Sequence, residues 1–159
     1  MHINAARLQQ HFETMSLIGK IGETGTCRPA HTLLERQGFE IAAEWMTDAG
    51  MQTHIDNFGN LIGRLAGKNK TLPVLMMGSH LDSQPYGGRF DGVAGVLCAI
   101  EAVMVLKENN ITPERSIEVI SFADEEGWRF NKGLFGSRGI LGRLEDAGPS
   151  SLSVLFGNP

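Results

Sequence analysis

The sequence predicts an α/β fold built around a mixed, largely parallel sheet, and three segments carry that expectation. Leu72 to Met77 is almost continuously apolar, as in a central strand covered on both faces. Gly92 to Asn109 places Val93, Val96, Leu97, Ile100, Val103 and Met104 on one side at helical spacing, and Ser116 to Ala123 is a second apolar strand. Strand, helix and strand in that order form a βαβ unit, whose two strands run parallel with a right-handed crossover.

The remaining elements follow from spacing and turn chemistry. Leu8, Phe12, Met15 and Ile18 recur at helical intervals and predict a first helix over Ile3 to Ile18. Gly19 to Ala30 is turn-rich, and its single cysteine and lone Arg28 form no metal or phosphate pattern. A second helix over Leu33 to Ala49 presents Phe39, Ala42, Met46 and Ala49 on one face, with Gly50 as its C-terminal stop. Met51 to Asp56 and Leu61 to Ala66 read as strands joined through Asn57-Phe58-Gly59-Asn60, forming a hairpin or neighbouring strands. Gly67 to Thr71 is a further turn, and 20 glycines in 159 residues, about one in eight against a usual ~7%, fit many tight turns.

Composition excludes several classes. Hydrophobic residues at 42% and charged residues at 20% supply a core. A formal net charge of −4 without a Lys/Arg run leaves no footprint for nucleic acid. No secretory signal opens the chain, and the apolar stretch Val93 to Leu106 contains Glu101 and is too short to span a bilayer, so no membrane partner is expected. Cys98 sits in that stretch and reads as a small buried hydrophobe, which favours a reducing cytoplasm over a disulfide to Cys27. Met15, Met46, Met76, Met77 and Met104 read as core filling, and His2, His11, His31 and His54 as surface or helix-end residues.

Ligands of such sheets bind outside the carboxyl ends of the parallel strands. There the first strand leads into Gly78-Ser79-His80-Leu81-Asp82-Ser83, the loop continues as Gly87-Gly88-Arg89-Phe90-Asp91-Gly92, and the second strand ends in Asp124-Glu125-Glu126-Gly127. Each group has a bland explanation: Asp91 as a helix N-cap, His80 as a core histidine, the acidic run as a solvated strand end. All three must hold at one edge at once, whereas a dinuclear metal site accounts for them together. The glycine loop lacks the Lys-Ser/Thr of a nucleotide P-loop, so nucleotide binding is rejected.

These motifs, with Gly136-Ser137-Arg138, resemble in order those of the N-carbamoyl-L-amino-acid hydrolases, a group that includes allantoate amidohydrolase and β-ureidopropionase within the dinuclear-metal aminoacylase and carboxypeptidase superfamily. The resemblance runs from about Leu17 to about Leu144. It implies a three-layer α/β sandwich, two divalent metal ions (zinc or manganese, with cobalt or nickel as alternatives), and hydrolysis of a ureido C–N bond releasing ammonia and carbon dioxide. His80 would then ligate one metal, Asp91 bridge both and Glu126 ligate the other, with Asp82 orienting His80 and Glu125 acting as general base. A small-molecule ureido acid is the implied substrate. The alternatives are a catalytically incompetent fragment or metal-binding module of such an enzyme, and an aminopeptidase or aminoacylase of the same superfamily.

Family members are longer. The resemblance makes residues 1–144 the N-terminal part of the catalytic domain and leaves 145–159 an unassigned tail, with the dimerisation and lid domain absent. Two further metal-binding histidines of the family are also absent, so each metal has two protein ligands here against a usual three. The full-length form is implied to be a homodimer, and this chain, with sheet surface left uncovered, is expected to self-associate.

Overall fold

The computed structural model describes residues 1–144, arranged as α1 (Ala5–Leu17), β1 (Lys20–Ile21), β2 (Gly25–Thr26), α2 (Leu33–Asp48), β3 (Gln52–Ile55), β4 (Leu61–Leu65), β5 (Leu75–His80), β6 (Gly87–Gly88), α3 (Val93–Glu108), β7 (Ile117–Phe122) and α4 (Phe135–Ile140). The main sheet has four strands in the order β3-β4-β7-β5, and a small sheet pairs β1-β2-β6. The expected βαβ unit is present as β5-α3-β7, with β5 and β7 parallel in the register Leu75↔Ile117 to His80↔Phe122. The α/β class and the mixed sheet stand, although of the main sheet's three pairings only β5–β7 is parallel. The parallel share is smaller than expected because the β3–β4 hairpin runs antiparallel within itself and against β7.

The core lies between the sheet and α1, α2 and α3, where Met15, Phe39, Met46, Leu61, Leu97, Ile100, Val103 and Val119 are buried together. The short α4 packs against the end of β7: the side chain of Asn60 accepts from Ala123 N at 2.9 Å and donates to Gly136 O at 3.3 Å. Local sequence explains the helix starts. Asn4 caps α1 by accepting from Arg7 N at 3.1 Å, and Thr32 caps α2 by accepting from Glu35 N at 3.5 Å. A buried charge joins α1 to α3: Glu101, 2% exposed, accepts from Arg7 Nε at 2.8 Å, Arg7 Nη2 at 2.9 Å and Asn4 N at 2.7 Å.

The structure corrects several expectations. The first apolar strand begins at Leu75 rather than Leu72, because Pro73 offers no donor to a ladder, and it continues through Gly78 to His80. Gly78 has φ 146°, and a side chain there would lie 1.9 Å from the Ile120 carbonyl oxygen, so a glycine taken for a strand end instead permits close strand contact. Among the described residues β5 is the edge of its sheet, and Leu75 and Met76 are 47% and 42% exposed, so it is not a covered central strand and Met76 is not core. Cys98 is exposed, and both cysteines are free thiols. On α3 the expected inward residues Val93, Val96, Leu97, Ile100 and Val103 are buried, and Cys98 falls on the side away from them. His11 is buried and stacks on Trp45 with ring centroids 3.9 Å apart, rather than lying at the surface. The expected tail, 145–159, lies outside the described residues. Among the described residues no helix is long and apolar enough to cross a membrane.

An exposed edge strand with apolar side chains invites pairing with another copy. The 159-residue chain is therefore expected to self-associate as its concentration rises, read by light scattering; a monomer mass that does not change with concentration would refute this.

Candidate active site at the carboxyl edge of the sheet

Parallel pairing of β5 and β7 brings His80 level with Phe122, so the residues that follow each strand emerge at one edge. His80 is 5% exposed. Its ring rests on Gly92, which holds φ +65° at the start of α3; a Cβ there would lie 2.5 Å from three ring atoms. The residue before α3 thus has to be glycine for two reasons, backbone conformation and space. Asp91 immediately precedes it and is exposed, and no side chain caps α3. The N-cap explanation of Asp91 is therefore set aside.

Asp82, 2% exposed, organises the edge. Its Oδ1 accepts from Glu125 N and its Oδ2 from Glu126 N, each at 3.2 Å, which fastens the loop after β5 to the loop after β7. His80 Nδ1 lies 3.0 Å from the Asp82 main-chain oxygen and 3.4 Å from Asp82 Oδ1, while His80 Nε2 lies 3.4 Å from Glu125 Oε2. Burial opposes the charged imidazolium, but the hydrogen bond and charge of Asp82, with Glu125 behind, outweigh it and hold His80 up at about 9. Burial raises Glu126, and Asp91 and Asp82 add to the rise while His80 opposes it, so these groups share one electrostatic environment. Asp124 is 2% exposed in a left-handed conformation (φ 48°), and burial, with Asp82, pushes it up to about 6.

The structure thus joins His80, Asp82 and Glu125 in direct contact, ties Glu126 to them through its main chain, and sets Asp91 beside His80 through Gly92. One imidazole and two carboxylates on a common edge are donors of the kind a divalent cation takes, so the residue types fit. As they stand, no three His, Cys, Asp or Glu side chains among the described residues gather closely enough to hold an ion.

Three supporting residues were not singled out from sequence. Arg28 is 1% exposed and runs beneath the loop that carries Asp82. Asn60 holds the end of β7, its own side chain donating to Asp56 Oδ2 at 2.9 Å. Glu35 is 4% exposed; its Oε2 accepts from His31 N at 2.6 Å and its Oε1 has no partner. The Thr32-x-x-Glu35 spacing is a legible capping signal, whereas nothing in the sequence marks Arg28 as buried.

Burial, reinforced by Asp82 and Asp124, pushes Glu35 up to about 8 from 4.5, so the folded chain keeps a proton there that the unfolded chain gives up. That contribution to stability is present below about pH 4.5 and is lost as pH rises toward about 8. The urea midpoint is expected to fall across this window, and to fall less steeply in Glu35→Gln; equal slopes in the two proteins would overturn the assignment. Gly92→Ala is expected to destabilise the fold by about 2–4 kcal/mol, from left-handed strain and overlap with the His80 ring, as measured by urea denaturation.

Comparison with known proteins bears on this edge. Residues 60–153 match the model of Peptidase family M28. An N-carbamoyl-L-amino-acid amidohydrolase of Pseudomonas sp. (strain NS671) is 48% identical over 143 residues, covering 90% of this chain and 34% of that protein. An allantoate deiminase of Arabidopsis thaliana is 37% identical over 152 residues, covering 86% of this chain and 29% of that protein. Among solved structures, a hydantoinase/carbamoylase family amidase from Burkholderia ambifaria superposes with a TM-score of 0.87 at 40% identity, covering 91% of this chain and 36% of that one. The chain thus spans about a third of the length of the relatives it matches.

Proposed function

Because the chain belongs to the N-carbamoyl-L-amino-acid amidohydrolase family, of the hydantoinase/carbamoylase type, we propose that its carboxyl edge serves metal-dependent hydrolysis of the ureido C–N bond in N-carbamoyl-L-amino acids or allantoate-like ureido acids. For an N-carbamoyl amino acid, one water is consumed and ammonia, carbon dioxide and the free amino acid are released. The observation that carries the reading is the Asp82 carboxylate, which binds the Glu125 and Glu126 amides while facing His80.

In this reading His80, Glu126 and Asp91 would hold two divalent cations, Asp91 being shared between them, with zinc or manganese the first candidates and cobalt or nickel the alternatives. Such cations supply Lewis-acid polarisation of the ureido carbonyl and make water a nucleophile near neutral pH. Asp82 fixes the orientation of the His80 ring and keeps Nδ1 directed inward, leaving Nε2 as the outward donor atom. Glu125, about a third exposed at its side chain, is the group able to move: it takes the proton of the attacking water and returns it to the leaving nitrogen. The two free thiols suit a reducing cytoplasmic setting, and a homodimer is the proposed assembly of the full-length form.

One observation favours a second reading, a catalytically incompetent metal-binding module: three donors do not gather among the described residues. The match to Peptidase family M28 keeps an aminopeptidase or aminoacylase as a third. Ammonia release from N-carbamoyl amino acids and allantoate, with Mn²⁺, Co²⁺ or Zn²⁺ added, separates them. Metal-dependent turnover that falls at least about a hundredfold in Asp91→Asn supports the proposal. A folded chain that binds metal without turnover selects the module, and activity confined to peptides or acyl amino acids selects the third reading.

A further inference from the structure

Arg28 is one of the largest fully buried side chains, 1% exposed, and among the described residues no carboxylate lies within ion-pair distance of it. Among the described residues its guanidinium donates to main-chain carbonyls: from Nε to Leu81 at 2.9 Å, and from Nη1 to Ile18 at 2.8 Å and Met15 at 3.2 Å. Its own main chain pairs with Ser83 in both directions. Arg28 N donates to Ser83 Oγ at 2.9 Å, and Ser83 N donates to the Arg28 carbonyl at 2.9 Å. Thr26 Oγ1 supports this contact, donating to Ser83 Oγ at 3.3 Å. The residues on both sides of Asp82 are therefore held by one arginine, while Asp82 itself is left free to serve His80 and the Glu125 and Glu126 amides.

Burying a guanidinium is costly unless its donors are met, and a planar fork that reaches carbonyls from two directions is a task for which lysine is poorly shaped. A structural strut between α1 and the sheet would need only one end of this arrangement. Here Nε and the main chain of the same residue hold Leu81 and Ser83, the two residues that flank Asp82, directly after His80. We propose that Arg28 is a positioning residue for the metal edge: it sets the main-chain path of Leu81-Asp82-Ser83, and through Asp82 the placement of the His80 ring over Gly92. This rests on the proposed roles of His80 and Asp82.

The test reads ring position directly in the metal-free chain, through the cross-relaxation (NOE) between the His80 ring protons and the Gly92 Hα, which the packing of the ring on Gly92 makes strong. Arg28→Met is expected to lower this signal at least twofold and to weaken Zn²⁺ binding by about tenfold or more. Glu101→Gln, which loosens the α1–α3 junction elsewhere, serves as control: it lowers thermal stability while leaving the NOE intact. An Arg28→Met chain that melts lower yet keeps the full His80–Gly92 signal overturns the proposal and leaves Arg28 a strut. If Arg28→Met does not fold, Ser83→Ala, which removes one arm of the same clamp, decides: a weakened signal supports the proposal and an unchanged one refutes it. The NOE result stands even if the wild-type chain binds no Zn²⁺, so failure of the metal reading is separable from failure of this one.

Discussion

The candidate site depends on how one carboxylate is used. Six ionisable side chains crowd the carboxyl edge, His80, Asp82, Asp91, Asp124, Glu125 and Glu126, and five of them are acids. Such a set is tolerated only if some of its charge is matched. Asp82 receives two main-chain amides and a histidine, a combination that fixes a buried carboxylate in direction. Because those amides belong to Glu125 and Glu126, the bond that stabilises Asp82 also decides where the next two acids begin.

The arrangement has a consequence for the imidazole. With Asp82 beside Nδ1 and Glu125 beside Nε2, both neighbours favour the charged imidazole and raise His80 above its ordinary range despite burial. The proton on Nε2 fills the place a metal cation would take, and Glu125 is its counter-ion. In the proposed function a cation at Nε2 would take the place of that proton, and Glu125 would be left free to act as the general base.

The sequence made much of this edge legible because parallel strands must finish on the same side, and the motif residues follow those strands closely. Helices α1, α2 and α3 were legible from apolar spacing to within a residue or two at most ends. What sequence concealed was contact made at a distance. Pro73 moved the start of β5, and Gly78 extended it through an approach to Ile120 that no local pattern announces. Cys98 is exposed although it stands in an apolar run, because it lies off the face that Val93, Val96, Leu97, Ile100 and Val103 turn inward. α4 escaped notice because Gly136 and Gly139 are poor helix formers; their value lies in space, since side chains there would strike Asn60 and Phe58. The two-residue strands β1, β2 and β6 are too short to carry a period at all.

Helix α1 shows how the fold carries rigidity to that edge. Its first turn is held by a buried carboxylate, Glu101, through Asn4 N and Arg7, and its last turn by a buried guanidinium, Arg28, through the carbonyls of Met15 and Ile18. Anion at the N-terminus and cation at the C-terminus is the pairing the helix dipole favours, so both charges gain from the same element. Each also has a second attachment: Glu101 belongs to α3, whose first residues follow Asp91 and Gly92, and Arg28 grips the loop after His80. The two strands of contact meet where the His80 ring rests on Gly92. A helix that contributes no residue to the chemistry thus spans the distance between its supports, and of the two it is Arg28, at the C-terminal end of α1, that reaches the loop after His80.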